Sequence, residues 1–220
     1  NGTLLVMKSD GGLGTVDAAV RDAGTTIYSG PAAGVSAAES LGVALGEAQL
    51  ITFDMGGTST DVAIIHDGRV KTTSMQFLDR QALATSMIDI TTVGAGGGSI
   101  AWKAPDGSLR VGPQSAGAIP GPACFGLGGD APTVTDALLV LGLFDPSQVL
   151  GGVVELELDR GQHVIDQLGV ELGMPSPETA YGIFRIVNAV MADAIRLRTV
   201  FAGLDPREFT LVSFGGAGGL

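Results

Sequence analysis

The chain is poor in cysteine and in positively charged residues, and each shortage removes a class of function. Its single cysteine, Cys124, excludes an internal disulfide framework and any metal site built from several thiolates. Lys and Arg number 12 against 23 Asp and Glu, which leaves a formal net charge of −11. That charge repels nucleic-acid phosphates and acidic membrane surfaces, so neither is an expected partner.

Long apolar runs are also missing, since no stretch approaches the roughly 18 residues needed to span a membrane. Together with the lone cysteine, this predicts a soluble protein of the reducing cytoplasm. The 220 residues, 45% of them hydrophobic, suffice for one large domain or two small lobes with a packed core. The chain begins at Asn1 without a methionine and stops inside a glycine loop, so we expect an excerpt of a longer protein.

Glycine is abundant, with 35 residues among the 220, whereas a share of about 7% is usual. The glycines show no collagen period and cluster in five loops, at 9–14, 54–60, 93–99, 119–132 and 214–219. Loops of this kind are typical of places where the backbone comes close to another group.

Ordered elements are predicted between these loops. The patterns indicate strands at 3–9, 50–54 and 209–214, a β-hairpin at 60–75, short strands within 89–112, and helices at 29–45, 135–144, 159–172 and 176–205. The hairpin is marked by the turn pair Asp67-Gly68. The spacing in the last helix predicts a buried stripe formed by Ile183, Val187, Val190, Ala194, Leu197 and Phe201.

The stretch "ITFDMGGTSTDVAII" (51–65) places small polar residues and two carboxylates inside core-like sequence. It reads as a strand, a glycine turn and a returning strand, whereas phosphate loops of the P-loop and dinucleotide types lead into a helix. Successive N–H groups in such a turn can form a concavity for phosphate oxygens. Gly56 and Gly57 allow close approach, and Thr58, Ser59 and Thr60 can add hydroxyl donors.

The two carboxylates that flank this turn, Asp54 and Asp61, would repel a phosphate in direct contact. We therefore expect them to hold a hydrated Mg²⁺ or to orient a water molecule. The alternative is an ordinary hairpin turn, in which Asp54 bonds to the backbone and Asp61 is exposed.

Four further features have competing readings. The loop "VGAGGGS" either lines the same cleft with exposed N–H groups of Gly94 to Gly98 or is simply flexible. Asp136 caps a helix start or belongs to a site, with capping at least as well favoured. Cys124 is disfavoured as a nucleophile because no histidine lies near it in the sequence. Trp102 is better explained by packing than by ligand stacking.

The segment "FDMGGTSTDVAI" resembles the second phosphate motif of the hydantoinase/5-oxoprolinase (hydantoinase A) family. Supporting segments occur in the expected order, namely "SDGG" (9–12), "SGPAAGV" (29–35), "TVGAGGGSIAW" (92–102), "GPQSAGAIPGPACFGLGG" (112–129), "PTVTDALLVLG" (132–142) and "FGGAGG" (214–219). The resemblance covers nearly the whole chain. It implies one domain over 1–220 with an α/β, actin-like ATPase (ribonuclease H-like) fold, in which a mixed sheet with an antiparallel hairpin is flanked by helices.

The resemblance also implies an activity, which is ATP-dependent opening of a cyclic amide such as N-methylhydantoin or 5-oxoproline. ATP and Mg²⁺ would be the cofactors, and a hydantoinase B-type subunit or domain and an oligomer would be expected. Asp54 and Asp61 would then be the catalytic and metal-binding residues. Phosphate would bind at Gly56, Gly57, Thr58, Ser59 and Thr60, and adenosine at Gly215, Gly216, Ala217 and Gly218.

One departure from the family pattern limits the inference. Family members carry an earlier Asp-x-Gly-Gly-Thr motif in an N-terminal lobe, which this sequence does not contain. We therefore expect one lobe of a two-lobed enzyme, with little turnover on its own. ATP-dependent ketone carboxylation, a nucleotide-switched actin-like protein without catalysis, and a scaffold whose glycine loops only turn corners remain as alternatives.

Overall fold

Short strands and five helices alternate along the chain, which the computed structural model describes at residues 2–78, 81–147, 149–150 and 154–219. The strands are β1 Leu5–Met7, β2 Leu13–Thr15, β3 Leu50–Met55, β4 Thr60–His66, β5 Arg69–Val70, β6 Thr72–Thr73, β7 Gln76–Leu78, β8 Gln81–Leu83, β9 Met87–Ile88, β10 Thr91–Val93, β11 Ser99–Lys103, β12 Leu109–Ser115, β13 Val149–Leu150, β14 Val154–Glu155 and β15 Thr210–Phe214. The helices are α1 Val16–Arg21, α2 Ser29–Leu45, α3 Val134–Val140, α4 Leu158–Leu172 and α5 Ser176–Thr199.

The chain divides into two compact units. The first comprises the residues up to Asp54, Asp61–Thr92 and Ala194–Phe214. The second comprises Met55–Thr60, Val93–Asp193 and the residues from Gly215 onward. The prediction of a single domain over 1–220 stays a prediction.

The main sheet of the first unit is mixed. Its strand order is β10-β4-β3-β15, and β5 adds to β4 as the antiparallel partner of the predicted hairpin. Strands β15 and β3 are parallel, with Phe214 opposite Asp54. The hairpin turns at Asp67 and Gly68, whose φ angles of 52° and 70° are those that an Asp-Gly pair favours.

Helix α2 supplies the apolar face that covers the core of the first unit. Its bounds, 29–45, are those predicted from the sequence. Small buried residues of α2 pack in one cluster with sheet and loop residues, which comprise Ala32, Val35, Ala38, Leu50, Ala63, Ile65, Ile88 and Ile90. Gly42 lies on the same helix at a close approach, since a Cβ there would stand 2.7 Å from the carbonyl oxygen of Glu47.

The second unit is built from helices and two-stranded sheets. Strands β11 and β12 pair antiparallel, as do β13 and β14. A 3₁₀ turn at Ala123–Phe125 contributes to a small buried cluster with Cys124, Leu139 and Leu156. The predicted mixed α/β class is thus confirmed in its elements.

The stripe predicted on the longest helix is only partly buried. Ile183, Val187 and Ala194 are buried, as the spacing indicated. Val190, Leu197 and Phe201, however, are 38%, 51% and 84% exposed, so their assignment to the core is wrong. The helix ends at Thr199, and a 3₁₀ turn closes at Gly203 with φ of 75°. Among the described residues, no helix has the length and apolar character needed to cross a bilayer.

Two glycines of α2 provide a matched test of the packing. We expect Gly42→Ala to lower the free energy of unfolding by about 1–3 kcal/mol, because the added methyl collides with backbone and with Leu50. Gly30→Ala, where nothing lies within 4 Å of the new Cβ, should be neutral or stabilising by up to about 1 kcal/mol. Denaturant unfolding of both variants measures this, and equal effects would contradict the packing described for α2.

Candidate functional site

The turn Met55–Thr60, in the second unit, is closed by its own backbone. The Gly56 amide donates to the Ser59 carbonyl at 2.9 Å, and the Thr60 hydroxyl donates to the Ala95 carbonyl at 2.6 Å. Gly56 N–H and the Thr60 hydroxyl are therefore engaged inside the protein. Gly57 and Thr58 stand at the exposed tip.

Three consecutive carbonyls of this turn are each held by an amide from a distant loop. Ala217 N–H donates to Met55 O at 2.9 Å, Gly97 N–H to Gly56 O at 3.1 Å, and Gly98 N–H to Gly57 O at 2.6 Å. Glycine loops far apart in the sequence thus meet on one turn.

Holding a carbonyl also fixes the N–H on the other side of the same peptide plane, because the peptide unit is planar and trans. The bonds to Gly56 O and Gly57 O therefore set the directions of the Gly57 and Thr58 amides. In the part of the chain that the structure describes, the amides of Gly57, Thr58 and Ser59 have no protein acceptor. Consecutive free amides of fixed direction are the donor set that an anion requires.

The loop Gly94–Gly98 does not offer a row of exposed amides. Ala95 to Ser99 are buried, Gly96 N–H donates to the Ser99 hydroxyl, and Gly97 and Gly98 bond to the turn. The expected row of exposed amides is thus wrong for Ala95 to Gly98, whereas the flexible-loop alternative stays a prediction. Only glycine fits here, because a Cβ on Gly96 would stand 2.8 Å from Gly56 O.

The terminal glycine loop borders a cavity in the second unit. Gly215 has φ of 89°, and Gly215 and Gly216 are exposed. The cavity has a volume of about 320 Å³ and is lined by Leu143, Phe144, Phe184, Gly216, Ala217 and Gly219. No local pattern around Phe144 or Phe184 indicates that these residues lie beside the terminal glycine loop.

The two flanking carboxylates, Asp54 at the end of β3 and Asp61 at the start of β4, lie in the first unit. Burial raises the pKa of both, and the charge of Asp54 raises the pKa of Asp61 further. A hydrogen bond from the Thr92 hydroxyl to Asp61 Oδ1 opposes that shift. Among the described residues no Lys or Arg pairs with either carboxylate, so two half-buried negative charges lack a cation.

No set of three His, Cys, Asp or Glu side chains within the described ranges forms a metal-binding group. A site with only two carboxylates still fits Mg²⁺, which keeps several of its waters and needs one or two protein carboxylates. It does not fit a dehydrated metal that is enclosed by protein ligands.

Asp136 is fully buried and caps α3. Its carboxylate accepts from the Thr133 amide and hydroxyl at 2.9 and 2.7 Å, and from the Cys124 amide at 2.8 Å. The capping alternative is therefore confirmed. Burial first, and the neighbouring Asp136 second, raise the pKa of the Cys124 thiol far above its ordinary value. The raised pKa and the burial of the thiol both disfavour a nucleophilic role for Cys124, in line with the prediction from the sequence.

Comparison with known proteins decides the family. The model of the hydantoinase/oxoprolinase proteins matches residues 1–220. The chain belongs to the hydantoinase/oxoprolinase family. It is 40% identical over 214 residues to the caprolactamase subunit alpha of Pseudomonas jessenii, covering 97% of this chain and 31% of the relative. It is 39% identical to the 5-oxoprolinase of Saccharomyces cerevisiae, covering 97% of this chain and 17% of that protein.

Solved structures agree with the family assignment. The nucleotide-free structure of an acetone carboxylase, from work on ATP-dependent acetone carboxylation, superposes with a TM-score of 0.89 at 32% identity. The match covers 98% of this chain and 30% of that one. The ATP-dependent caprolactamase from Pseudomonas jessenii gives 0.78 at 40% identity over 88% of this chain and 28% of that one. The predicted fold class is thereby confirmed. This hydantoinase/oxoprolinase chain spans about a third of the length of two of the curated relatives it matches.

The raised pKa values of Asp54 and Asp61 predict a pH-dependent cost to stability. A carboxyl group whose pKa is higher in the folded state than in the unfolded state favours folding while it is protonated. Its contribution to stability is complete below the unfolded-state pKa of 3.8 and is lost as the pH rises through the folded-state pKa. Without Mg²⁺, Asp54→Asn should therefore raise the melting temperature at pH 7, and the gain should vanish below about pH 3.8.

Asp145→Asn is the control of opposite sign, because hydrogen bonds from Ser147 lower the pKa of Asp145. Its contribution to stability is present above the unfolded value and is lost as pH falls. Melting curves from pH 3 to 8 distinguish the two variants. An equal loss of stability at every pH in Asp54→Asn would show that the desolvated pair does not exist.

Proposed function

We propose that this protein is an ATP-dependent hydrolase of cyclic amides of the hydantoin or 5-oxoproline type. The observation that carries the proposal is the turn at Gly57, Thr58 and Ser59, whose three amides have no acceptor among the residues that the structure describes. The peptide planes that carry the Gly57 and Thr58 amides are also held from behind by Gly97 and Gly98. Relatives named 5-oxoprolinase and caprolactamase supply the substrate class.

The phosphate chain of ATP would bind at this turn through the amides of Gly57, Thr58 and Ser59. The hydroxyls of Thr58 and Ser59 add donors, whereas Gly56 N–H and the Thr60 hydroxyl are already used within the protein. The proposed phosphate contacts thus involve only three of the five residues predicted from the motif. Gly56 and Thr60 serve the shape of the turn.

Mg²⁺ would bind through water at Asp54 and Asp61, the carboxylates that flank the turn in the sequence. Two desolvated carboxylates that pair with no Lys or Arg in the described part of the chain favour a divalent ion, because its charge lowers their raised pKa values. Mg²⁺ commonly accompanies a triphosphate and offsets its charge. Neutralisation of that charge is a main task of proteins that transfer phosphoryl groups.

Adenosine would occupy the cavity beside the terminal glycine loop. Its lining combines the backbone of Gly216, Ala217 and Gly219 with the rings of Phe144 and Phe184. Flat apolar rings can stack on a base, and glycine allows the backbone to approach it. Of the four residues assigned to adenosine by the family resemblance, Gly216 and Ala217 line this cavity, whereas Gly215 and Gly218 are not among its lining residues.

ATP would supply the activation that an unstrained ring amide needs. Resonance makes the amide carbonyl a poor electrophile, and transfer of the γ-phosphoryl group of ATP to its oxygen, with release of ADP, would make the carbonyl carbon more electrophilic. Water would add to that carbon, and cleavage of the ring C–N bond would release the amino group and leave an acyl phosphate. Hydrolysis of the acyl phosphate by a second water would give the carboxylate and inorganic phosphate. The residues of this chain would place the phosphates and balance their charge, which is most of what a protein contributes to phosphoryl transfer.

Carboxylation of a ketone is the second candidate function. It is favoured by the acetone carboxylase structure, which matches this chain with the higher of the two TM-scores. Both reactions would use the same nucleotide-binding turn and differ in the substrate pocket. Because several relatives are named as subunits, including caprolactamase subunit alpha, we also propose a partner subunit or domain of hydantoinase B type and assembly into an oligomer.

Phe184→Ala tests the adenosine cavity. Loss of a stacked ring should weaken binding of adenosine and ATP by roughly tenfold. Tyr181→Ala is the matched control, because Tyr181 stacks on Phe184 from the same helix but does not line the cavity. Calorimetric titration of the native, full-length protein measures both, and an unchanged affinity in Phe184→Ala would remove adenosine from this cavity.

An assay of the native, full-length protein tests the reaction. ATP loss is followed in separate incubations with 5-oxoproline, hydantoins, a lactam, and ketones with bicarbonate. We expect ring opening coupled to ATP loss, and a decrease of roughly 100-fold or more in Asp54→Asn. Ketone carboxylation would establish the second candidate, and unchanged ATP turnover in Asp54→Asn would refute the metal role.

A further inference from the structure

Behind the proposed phosphate turn lies a connected set of backbone contacts that ends at the buried start of α3. We propose that Thr135, with the glycine loop Gly96–Gly98 that it holds, is the positioning element that aims the Gly57 and Thr58 amides at the phosphate. This inference rests on the proposed function and deepens it, because it assigns a role to residues outside the phosphate motif.

The first link is a double hydrogen bond from Thr135 to the glycine loop. Both the amide and the hydroxyl of Thr135 donate to the carbonyl oxygen of Gly97, each at 2.8 Å. Thr135 is 6% exposed, so this pair is shielded from water. A carbonyl with two buried donors is held more firmly than one with a single donor.

The second link runs from the glycine loop to the turn. Gly97 and Gly98 donate to the carbonyls of Gly56 and Gly57, and the same peptide planes carry the Gly57 and Thr58 amides. A rotation of either plane would turn an N–H away from the phosphate and would bring a carbonyl dipole towards it. The hydrogen bonds from Gly97 and Gly98 oppose that rotation.

Space reinforces the hydrogen bonds. A Cβ on Gly97 would stand 2.8 Å from the Thr135 hydroxyl, and one on Gly98 would stand 2.9 Å from Gly57 O. Thr135, the glycine loop and the turn are therefore in direct contact, and no other side chain lies between the loop and the turn. Because no flexible side chain lies between the glycine loop and the turn, we expect a displacement of the Thr135 hydroxyl to displace the turn as well.

Asp136 anchors Thr135 in turn. It is 0% exposed, and its carboxylate accepts hydrogen bonds from Thr133 and from the turn at Cys124. Within the described ranges no Lys or Arg pairs with it, and its charge is balanced by N–H and O–H donors. A buried carboxylate satisfied in this way fixes one arrangement of its neighbours more than it adds to stability.

Thr135→Val tests the inference, with Thr135→Ser as the conservative rescue. Valine keeps the shape of threonine and removes one donor to Gly97 O, whereas serine keeps the hydroxyl. We expect Thr135→Val to weaken ATP binding by roughly five- to tenfold while adenosine affinity changes less than twofold. Thr135→Ser should bind ATP within about twofold of the wild type.

The ratio of ATP to adenosine affinity, measured by calorimetry on the native, full-length protein, is the deciding quantity. A merely structural role would lower the melting temperature and both affinities together. Equal loss of ATP and adenosine binding, or no loss of either, overturns the positioning role. If the wild type binds adenosine and ATP equally, the phosphate turn of the proposed function fails, and that outcome is distinct from the other two.

Discussion

The candidate site depends on three hydrogen bonds that end on three successive carbonyls. Met55, Gly56 and Gly57 each accept from an amide of another loop, and those amides belong to Ala217, Gly97 and Gly98. A glycine turn left to itself has much conformational freedom, and freedom in a binding loop must be lost when the ligand binds. Here the three hydrogen bonds restrict that freedom from the carbonyl side of the turn, opposite the amides of Gly57 and Thr58. The glycines thus contribute closeness of approach without the flexibility usually associated with them.

The backbone of the turn is well supported by hydrogen bonds, whereas the charges of the two flanking carboxylates are poorly compensated. Asp54 and Asp61 are half-buried, and no Lys or Arg of the described residues pairs with them, so burial of their charge carries an electrostatic cost that a divalent ion would relieve. Asp136, in contrast, is fully buried and costs less, because N–H and O–H donors surround its oxygens. The three aspartates therefore differ in environment, since Asp136 is surrounded by hydrogen-bond donors and burial raises the pKa of Asp54 and Asp61.

Local patterns in the sequence were sufficient to predict most helices and strands and the Asp-Gly hairpin turn. Helix α2 begins and ends where its apolar spacing predicted, and the Asp67-Gly68 hairpin forms because few residue pairs suit its φ angles. The strand-turn-strand reading of the phosphate motif also holds. The spacing of apolar residues predicted a buried stripe along the longest helix. Spacing alone does not indicate which part of a stripe is covered by other elements, and Leu197 and Phe201 are in fact exposed.

Contacts between distant segments left no such signal. Nothing local to Gly97 or Ala217 indicates that their amides meet the turn at Gly56, and the "VGAGGGS" loop was therefore read as exposed or flexible. For the same reason the sequence does not indicate that Phe144 and Phe184 line a cavity, since its walls come from segments that meet only on folding. Family resemblance supplied what local chemistry could not, namely the order of the glycine loops and the nucleotide they would serve.

The burial of Cys124 has a practical consequence. It is the only cysteine in the sequence, it is fully shielded from solvent, and its thiol holds its proton far above neutral pH. Maleimide reagents react with thiolates, so they would leave the native sulfur untouched. A cysteine introduced at an exposed position such as Ser147 would then accept a fluorophore or spin label selectively, without removal of the natural residue.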